Sequence, residues 1–349
     1  MKWKFLLPLL VSVFGLVSGR YQQLPQAAAM PQQRSPFPLA QNKTNLQFSQ
    51  PIDCTLGEDC FILNYVDRDP SPQAIDFACR GQTYNGHKGT DFALRDMQAM
   101  EEGVEVLAAA SGTVIATRDG MPDRRITSEK SRQEVEGTEC GNGVVIDHGN
   151  GWRSQYCHLK QGSVVVSQGD EVSRGQVLGE VGSSGLSSFP HVHLSLRFEG
   201  DVVDPFVGRT QATGCQVERN PLWQDPISYT PAGEIRSGFA TERPSTDEVW
   251  QGKFHQNEFS TDVPLLIFWM QAYGVEAGDV ETVRLTSPDG EVVAETQQSI
   301  DRSHRIWLRY VGKRNSQQRP LTPGVWRAEY QLKRGDRILI DRTQQVRLR

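Results

Sequence analysis

The sequence predicts an all-β protein built of antiparallel sheets. From position 51 onward, short apolar runs alternate with glycine-rich turns, a pattern typical of strands joined by tight connections. There is no repeat array and no long amphipathic helix in the pattern. With 349 residues, of which 37% are hydrophobic and 23% charged, the chain is long enough for two globular domains. We therefore expect two consecutive β domains.

The first 50 residues are expected to lie outside both domains. Lys2 and Lys4 precede an apolar run over positions 5–17, and small residues follow at Ser18 and Gly19. This order predicts a Sec-type signal peptide over 1–19, and therefore an exported protein that is periplasmic or extracellular. An uncleaved anchor is the alternative, but the run is too short to span a bilayer comfortably, so no stable membrane span is expected. Positions 20–50, rich in Gln, Pro and Ala, are predicted to be a disordered leader or a pro-segment.

The first domain is expected over residues 51–217. Its segment "GVEVLAAASGTVIATRDG" predicts two strands, and "GNGVVIDHGNGWRSQYCHL" predicts a hairpin that turns at Gly149-Asn150-Gly151. The segment "GSVVVSQGDEVSRGQVLGEVGSSG" continues the meander, and "HVHLSLRFEGDVVDPF" adds a further strand. The charged insertion 119–137 is predicted to be a surface loop.

The second domain is expected over residues 235–349, after a proline-punctuated linker at 218–234. Short aromatic-containing strands separated by Pro-Asp-Gly and Arg-Gly-Asp turns predict a β-sandwich of immunoglobulin-like size. Its last 49 residues carry 13 Lys and Arg against four Asp and Glu, although the whole chain has a net charge of -5. This basic tail either holds an anionic wall polymer or balances the acidic remainder of the protein. The mild overall charge gives no sign of a nucleic-acid partner.

The six cysteines predict disulfides, because their number is even and the chain is expected to be exported. No Cys-x-x-Cys pair is present, which weakens the alternative of a thiolate zinc site. Folding the predicted hairpin brings Cys157 near positions 140–143, which favours a Cys140–Cys157 bond. A small loop closed by Cys54–Cys60 then leaves Cys79 for Cys215.

Two histidines on one predicted strand are the first sign of chemistry. His191 and His193 lie two positions apart, so on a strand they share a face about 6.5–7 Å apart. One imidazole can then bind a metal ion while the other addresses a water molecule beside it. The alternative is that both are structural, each hydrogen-bonded to a backbone carbonyl.

Three further side chains complete a candidate constellation. In "GHKGTDF", His87 and Asp91 are four positions apart, and the glycines predict a loop that enters a strand rather than a helix. His158, in "SQYCHL", falls near the end of the second hairpin strand. A catalytic zinc site needs three protein ligands, a position for water and a group that takes the proton of that water. Four histidines and one carboxylate supply this set, although Asp91 alone could simply stabilise a turn.

Taken in order, "GHKGTDFAL", "GNGVVIDHGNGWRSQYCHL", "VVVSQGDEVSRGQVLGEVGSSG" and "PHVHLSL" resemble the lysostaphin-like (LytM-type) zinc metallopeptidases. The resemblance covers positions 84–207. It implies the antiparallel β-sheet peptidase fold of that family, with its duplicated hybrid motif, and one zinc ion per chain.

The resemblance also implies a role for each motif residue. His87 and Asp91, of the His-x-x-x-Asp motif, and His193, the second histidine of His-x-His, are expected to bind zinc. His158, of Tyr-x-His-Leu, and His191, the first histidine of His-x-His, are expected to act as acid, base or oxyanion-stabilising groups. Family substrates are peptide cross-links of bacterial peptidoglycan, with extracellular proteins as an alternative.

Two positions depart from the usual family pattern, although neither is a ligand. Phe189 stands where the family often has glycine, and Ser195 where it often has glutamate. We expect Phe189 to alter the wall of the cleft and Ser195 to remove a partner on the strand face. The complete ligand set favours an enzyme, expected to be a monomer. The rival is a non-catalytic envelope protein that binds the wall or activates another hydrolase.

Overall fold

Antiparallel strands dominate residues 46–349, the part of the chain that the computed structural model describes. The predicted all-β class is confirmed. The predicted signal peptide and all but the end of the predicted leader lie outside the described residues. The predicted domain boundaries stay predictions, because residues 46–349 form one compact unit.

The first part of the described chain contains ten strands: β1 (Cys60–Asn64), β2 (Thr90–Leu94), β3 (Glu105–Leu107), β4 (Gly112–Arg118), β5 (Asn142–Gly149), β6 (Trp152–Leu159), β7 (Glu171–Val172), β8 (Val177–Glu180), β9 (His191–Phe198) and β10 (Asp201–Val203). Two short helices interrupt this order: α1 (Met97–Glu102) lies between β2 and β3, and α2 (Glu129–Gln133) lies between β4 and β5. Eight of the strands form the first sheet, in the order β1-β2-β9-β6-β5-β4-β7, with β10 paired to β9. The other two, β3 and β8, form a separate pair.

Strand β9 has a different chemistry on each of its two faces. Val192, Leu194 and Leu196 are buried in the hydrophobic core of the first sheet. Because side chains alternate along a strand, His191 and His193 lie together on the opposite face. This arrangement confirms the predicted shared face of the two histidines.

A β-bulge changes the alternation at the end of β1. Ile62 pairs with Phe92 and Asn64 pairs with Asp91, so two steps on β1 match one step on β2. The extra residue is Leu63. Without the bulge, Asn64 would follow Ile62 onto the core face, whereas with it Asn64 shares the face of Asp91.

The second half of the chain is a sandwich of two sheets, with strand orders β11-β13-β16 and β12-β18-β17-β14-β15. Its strands are β11 (Gly233–Ala240), β12 (Glu258–Phe259), β13 (Leu265–Val275), β14 (Val280–Thr286), β15 (Val292–Ser299), β16 (His304–Arg314), β17 (Gly324–Arg334) and β18 (Arg337–Leu348). Phe268 from one sheet and Trp326 and Tyr330 from the other share a buried core. The sandwich architecture is as expected, while its immunoglobulin-like topology stays a prediction.

Two short helices occur where the sequence pattern predicted loop or strand. Helix α2 lies inside the charged insertion 119–137, and α3 (Thr246–Trp250) lies in the predicted all-strand region. In α3 the Ser245 side chain accepts from the Glu248 amide, and the Glu248 side chain accepts from the Ser245 amide. This reciprocal capping satisfies two free amides and stabilises a helix of only five residues.

The three predicted disulfides are confirmed, as Cys54–Cys60, Cys79–Cys215 and Cys140–Cys157. The last joins Cys157 on β6 to Cys140, in the turn just before β5, as expected from the predicted hairpin. None of the helices within residues 46–349 has the length and apolar content needed to cross a membrane.

A mixed aromatic cluster joins the first sheet to the sandwich. Phe61 of β1 stacks on Tyr273 of β13, with ring centroids 5.0 Å apart. Trp250 of α3 packs in the same buried cluster with Phe189, which lies just before β9. The sandwich therefore packs close to strands that carry the candidate site residues.

Several arginines of the basic tail pair with carboxylates from earlier in the sandwich. Such pairs join Arg309 to Glu281, Arg334 to Glu276 and Asp279, Arg342 to Glu234, and Arg349 to Glu258. This pattern favours the alternative in which the tail balances acidic residues elsewhere. Binding of an anionic wall polymer by the tail stays a prediction.

Candidate metal centre

Three side chains from separate motifs converge on one point. His87 Nε2 lies 3.1 Å from Asp91 Oδ1 and 3.1 Å from His193 Nδ1, and the last two atoms are 2.8 Å apart. His87 and Asp91 are almost completely buried, and His193 is partly buried. The three residues form a group able to hold a metal ion.

The local fold explains how distant residues meet. Asp91 on β2 and His193 on β9 are directly opposed partners in the antiparallel ladder. His87 reaches them from the loop before β2, as the Gly-rich segment predicted. A Cβ atom on Gly89 would lie 2.5 Å from His193 Nε2, so only glycine lets this loop pass so close to the imidazole.

The hydrogen bonds of His87 fix which of its nitrogens faces the centre. Its Nδ1 lies 2.7 Å from the Tyr65 carbonyl oxygen, which can only accept, so Nδ1 carries the proton. In the neutral ring, Nε2 then presents a lone pair toward Asp91 Oδ1 and His193 Nδ1. His87 Nε2 and Asp91 Oδ1 are then two acceptor atoms 3.1 Å apart, and such a pair needs a cation or a shared proton between them.

The donor set fits zinc. Imidazole nitrogen and carboxylate oxygen are both common zinc ligands, with bonds of about 2.0 Å. Around a tetrahedral ion such bonds place the donor atoms about 3.3 Å apart, close to the 2.8–3.1 Å observed here. Two neutral imidazoles and one carboxylate would leave a zinc centre with a single positive charge.

The charges within the cluster support a deprotonated carboxylate. Burial alone would raise the pKa of Asp91, but His87 and His191 beside it bring its pKa well below the usual value. Burial lowers the pKa of His87, and Asp91 outweighs that effect and raises it. A proton can therefore occupy His87 in metal-free protein, and metal binding should release it.

His158 and His191 lie beside the three converging side chains. Their ring centroids are 4.6 Å apart, and the His158 ring lies 6.0 Å from that of His193. His158 Nδ1 donates to the Ser184 carbonyl at 2.8 Å, and His191 Nδ1 donates to the Phe189 carbonyl at 2.8 Å. Each ring therefore keeps an unprotonated Nε2 when neutral, and that of His191 lies 3.6 Å from Asp91 Oδ1.

The surroundings of both histidines favour the neutral form of the ring. Burial lowers the pKa of His191, and burial with the charges of His191 and His193 lowers that of His158 well below its ordinary value. His158 also has a positive φ of 65°, unusual for a residue other than glycine. Such backbone strain is commonly found at functional sites. The Cys140–Cys157 bond holds the adjoining residue in place.

The remaining histidines lie in other environments. His148 hydrogen-bonds to the Ser111 carbonyl and Ser154 Oγ, and His255 lies 3.4 Å from Asp96. His304 packs on Trp307 in the sandwich. Among residues 46–349, the other grouping of potential metal ligands contains Cys54 and Cys60, which are bonded to each other.

The two departures from the family pattern have different surroundings. Phe189 stacks on His191 at 4.3 Å and on Trp250 at 5.4 Å, so it joins a candidate catalytic ring to the sandwich. Ser195 Oγ donates to the Lys88 carbonyl, in the loop between His87 and Asp91. Ser195 thus steadies this loop, where glutamate is the more usual residue.

Sequence patterns missed three residues around the metal centre. Asn64 Nδ2 donates to Asp91 Oδ2 at 2.7 Å, and the Tyr84 ring packs on His87 at 4.5 Å. Arg305, from the sandwich, donates to Asn64 Oδ1 at 3.2 Å. Nothing in the local sequence around Asn64 or Arg305 signals these contacts, whereas Tyr84 is next to the His87 motif.

Residues 85–205 match the model of Peptidase family M23. The resemblance to lysostaphin-like peptidases is thereby confirmed for about a third of the chain. The family is zinc-dependent, and the match supports a peptidase.

Curated relatives match the same region. The peptidoglycan DD-endopeptidase ShyA of Vibrio cholerae is 34% identical over 118 residues, which cover 34% of this chain and 22% of that protein. The DD-carboxypeptidase/endopeptidase Mpg of Neisseria gonorrhoeae is 45% identical over 65 residues, which cover 19% of this chain and 14% of that protein. The match thus spans less than a quarter of the length of either relative.

Solved structures of the family also match. The catalytic domain of lysostaphin from Staphylococcus simulans is 26% identical, with a TM-score of 0.27, covering 41% of this chain and 85% of that one. A putative M23 peptidase from Pseudomonas aeruginosa is 27% identical, with a TM-score of 0.28, covering 46% of this chain and 49% of that one.

Proposed function

We propose that this protein is an exported zinc-dependent endopeptidase that hydrolyses peptide bonds in the cross-links of bacterial peptidoglycan. The observation that carries the proposal is the convergence of His87 Nε2, Asp91 Oδ1 and His193 Nδ1 beside two buried neutral histidines. One zinc ion per chain would be held by these three atoms. Bound there, zinc supplies a Lewis acid that polarises a peptide carbonyl and lowers the pKa of water.

The protein side of the reaction falls to His158 and His191. Because each keeps its Nδ1 proton on a backbone carbonyl, each offers Nε2 as a proton acceptor. One ring would take the proton of the attacking water and return it to the leaving amine. The other, once protonated or as an N–H donor, would stabilise the developing oxyanion. We assign the proton transfer to His191, whose Nε2 lies nearer to the Asp91 carboxylate.

Peptidoglycan as the substrate rests on the relatives. Both curated relatives are named for action on peptide bonds of the DD type, and one name specifies peptidoglycan. Export is supported by three disulfides, which persist in oxidising compartments outside the cytoplasm. Extracellular protein remains the alternative substrate.

The decisive experiment measures metal content and products together. Purified protein should contain one zinc per chain and should release peptide fragments from purified peptidoglycan, as identified by mass spectrometry. A chelator should abolish this release, and His193→Ala should lower it at least about a thousandfold, because several kcal/mol of transition-state stabilisation are lost. His255→Gln is the matched control, since that ring lies outside the centre.

Other outcomes would change the proposal in defined ways. Cleavage of casein or elastin without cleavage of peptidoglycan would keep the peptidase and reassign its substrate. Zinc-loaded protein that hydrolyses neither material would contradict the proposed enzyme and favour the non-catalytic envelope protein.

A further inference from the structure

A side chain of the sandwich reaches the surroundings of the metal centre. Arg305 lies on β16, more than 200 residues after the motif that contains Asp91. Its Nη1 donates to Asn64 Oδ1 at 3.2 Å, and Asn64 Nδ2 donates to Asp91 Oδ2 at 2.7 Å. Asp91 Oδ1, the other oxygen of this carboxylate, faces the two ligand imidazoles. A continuous chain of hydrogen bonds therefore runs from the sandwich to a metal ligand.

The guanidinium determines how the Asn64 amide is oriented. An amide has one end that accepts and one that donates, and the two ends have nearly the same shape. Arg305 can only donate, so it selects the oxygen end of Asn64. The NH2 end is then directed at the Asp91 carboxylate, which can only accept. Asn64 is 1% exposed, so solvent is not at hand to satisfy a reversed amide.

The same guanidinium also backs a second ligand. The Arg305 guanidinium carbon lies 5.3 Å from the centroid of the Tyr84 ring, and that ring packs 4.5 Å from the ring of His87. Tyr84 is 44% exposed, so the protein covers only part of its ring. A cation over an aromatic face is a favourable contact that keeps such a ring in position. Arg305 therefore supports Asp91 through Asn64 and His87 through Tyr84.

We propose that Arg305 is a positioning residue of the metal centre, supplied by the C-terminal sandwich and acting mainly through Asn64. The sandwich then forms part of the framework of the catalytic centre. This inference rests on the proposed zinc function. Mutation of a residue that orients a metal ligand through a hydrogen bond commonly costs about 10- to 100-fold in metal affinity or activity.

The competing interpretation is that Arg305 makes an ordinary contact between two packed parts of the protein. Arg305 is exposed, and contacts of exposed charged groups contribute little to stability. A purely structural contact would leave metal affinity unchanged when it is removed. The two interpretations therefore predict different metal affinities for a variant that lacks Arg305, even if that variant is as stable as the wild type.

The test is a double-mutant cycle on full-length protein. The variants are Arg305→Met, Asn64→Ala and the combination, with Arg305→Lys as the conservative variant and Arg314→Met as the control on the same strand. Zinc affinity is measured by competition with a chromogenic chelator, and kcat and KM are measured separately. Circular dichroism and the midpoint of thermal unfolding show that each variant is folded.

We expect Asn64→Ala to weaken zinc binding about 10- to 100-fold, as removal of a ligand's hydrogen-bond partner commonly does. Arg305→Met should weaken it about 3- to 10-fold, since it acts one residue further from the ion. Arg305→Lys should recover part of the affinity, and Arg314→Met should match the wild type. Once Asn64 is alanine, Arg305→Met should add almost nothing, because coupled residues are not additive.

Two results would overturn the inference, and they differ from failure of the proposed function. If the wild type binds zinc and Arg305→Met binds it equally well, Arg305 is only a packing residue. If the effects of Arg305→Met and Asn64→Ala simply add, Arg305 does not act through Asn64. If the wild type itself binds no zinc, the proposed function fails first.

Discussion

The two halves of the described chain each bury a carboxylate, but they satisfy it in opposite ways. Glu281, in the sandwich, is fully buried and accepts from three donors: Trp307 Nε1 at 2.7 Å, Tyr330 Oη at 3.0 Å and Gln298 Nε2 at 3.2 Å. The cationic Arg309 side chain pairs with it as well, with Nε 3.3 Å from Oε2. Asp91, in the first sheet, has one donor, Asn64, on Oδ2. Its Oδ1 faces ring nitrogens of His87, His191 and His193.

These different surroundings distinguish a carboxylate with a structural role from one suited to bind a metal ion. A buried charge is tolerated when donors and cations compensate its lost hydration. The protein supplies these around Glu281, whereas Asp91 Oδ1 faces the Nε2 atoms of His87 and His191, which present lone pairs when those rings are neutral. Donors and a cation of the protein therefore surround the carboxylate in the sandwich, and the first-sheet site has a composition suited to a bound cation.

The largest effect should come from removing the charge of Asp91 while keeping its shape. In Asp91→Asn the amide loses the anionic ligand, so we expect zinc binding to be lost and hydrolysis of peptidoglycan to fall at least about a thousandfold. Metal analysis and the release of peptide fragments measure the two effects. If Asp91→Asn kept both zinc and activity, Asp91 would not be a metal ligand and would be a structural carboxylate like Glu281.

The next effect concerns the stability that zinc itself provides. A ligand that binds only the folded state stabilises it by about 2.7 kcal/mol at a hundred times its Kd. Thermal or urea unfolding of the wild type should therefore shift by this order when zinc is added to metal-free protein. The same addition should not shift Asp91→Asn, and an equal shift in that variant would show that the ion binds elsewhere.

The equivalent substitution in the sandwich, at Glu281, should lower stability but leave zinc binding and catalysis unchanged. Glu281→Gln keeps the shape but places an NH2 group against donors such as Gln298 and Arg309, so we expect a loss of about 1–3 kcal/mol in the free energy of unfolding. Zinc affinity and kcat/KM of folded protein should remain within about twofold of the wild type, a change under 0.5 kcal/mol. Urea unfolding and steady-state kinetics measure these quantities. Loss of activity without loss of stability would contradict the structural role of Glu281.

The sequence was sufficient to predict the elements that depend on local patterns. Alternation along "HVHLSL" predicted that His191 and His193 share a face, and the β5–β6 hairpin register predicted the Cys140–Cys157 bond. The five candidate side chains were found because each lies in a motif with a recognisable spacing. The structure brings these five together.

Other parts of the site depend on features that a local pattern does not contain. Asn64 faces Asp91 because of a bulge at Leu63, and alternation alone would have assigned it to the core. Arg305 meets Asn64 across 241 positions, a contact decided by how the sandwich packs on the first sheet. Helix α3 depends on capping between Ser245 and Glu248 within a region otherwise rich in strands.

The smallest predicted effect concerns a further buried carboxylate, Asp204, which within residues 46–349 has fewer donors than Glu281 and no imidazoles beside it. Its Oδ1 accepts from the Phe206 amide at 2.9 Å, while its buried Oδ2 has no hydrogen-bond partner among the described residues. Burial raises the pKa of Asp204 to about 6. The carboxylate therefore destabilises the folded protein when it is charged.

The sign of the pH dependence follows from this raised pKa. Between the ordinary aspartate pKa of 3.8 and about 6, the folded state holds a proton that the unfolded state has released. The contribution of Asp204 to the free energy of unfolding therefore falls as pH rises through this window, and the full penalty is present at neutral pH. Asp204→Asn should therefore stabilise the folded protein by about 1–2 kcal/mol more at pH 7.5 than at pH 4. This difference is below the ceiling of about 3 kcal/mol set by a pKa shift of roughly two units. Urea unfolding of wild type and variant at both pH values measures the difference, and an effect independent of pH would show that the surroundings of Asp204 compensate its charge in full.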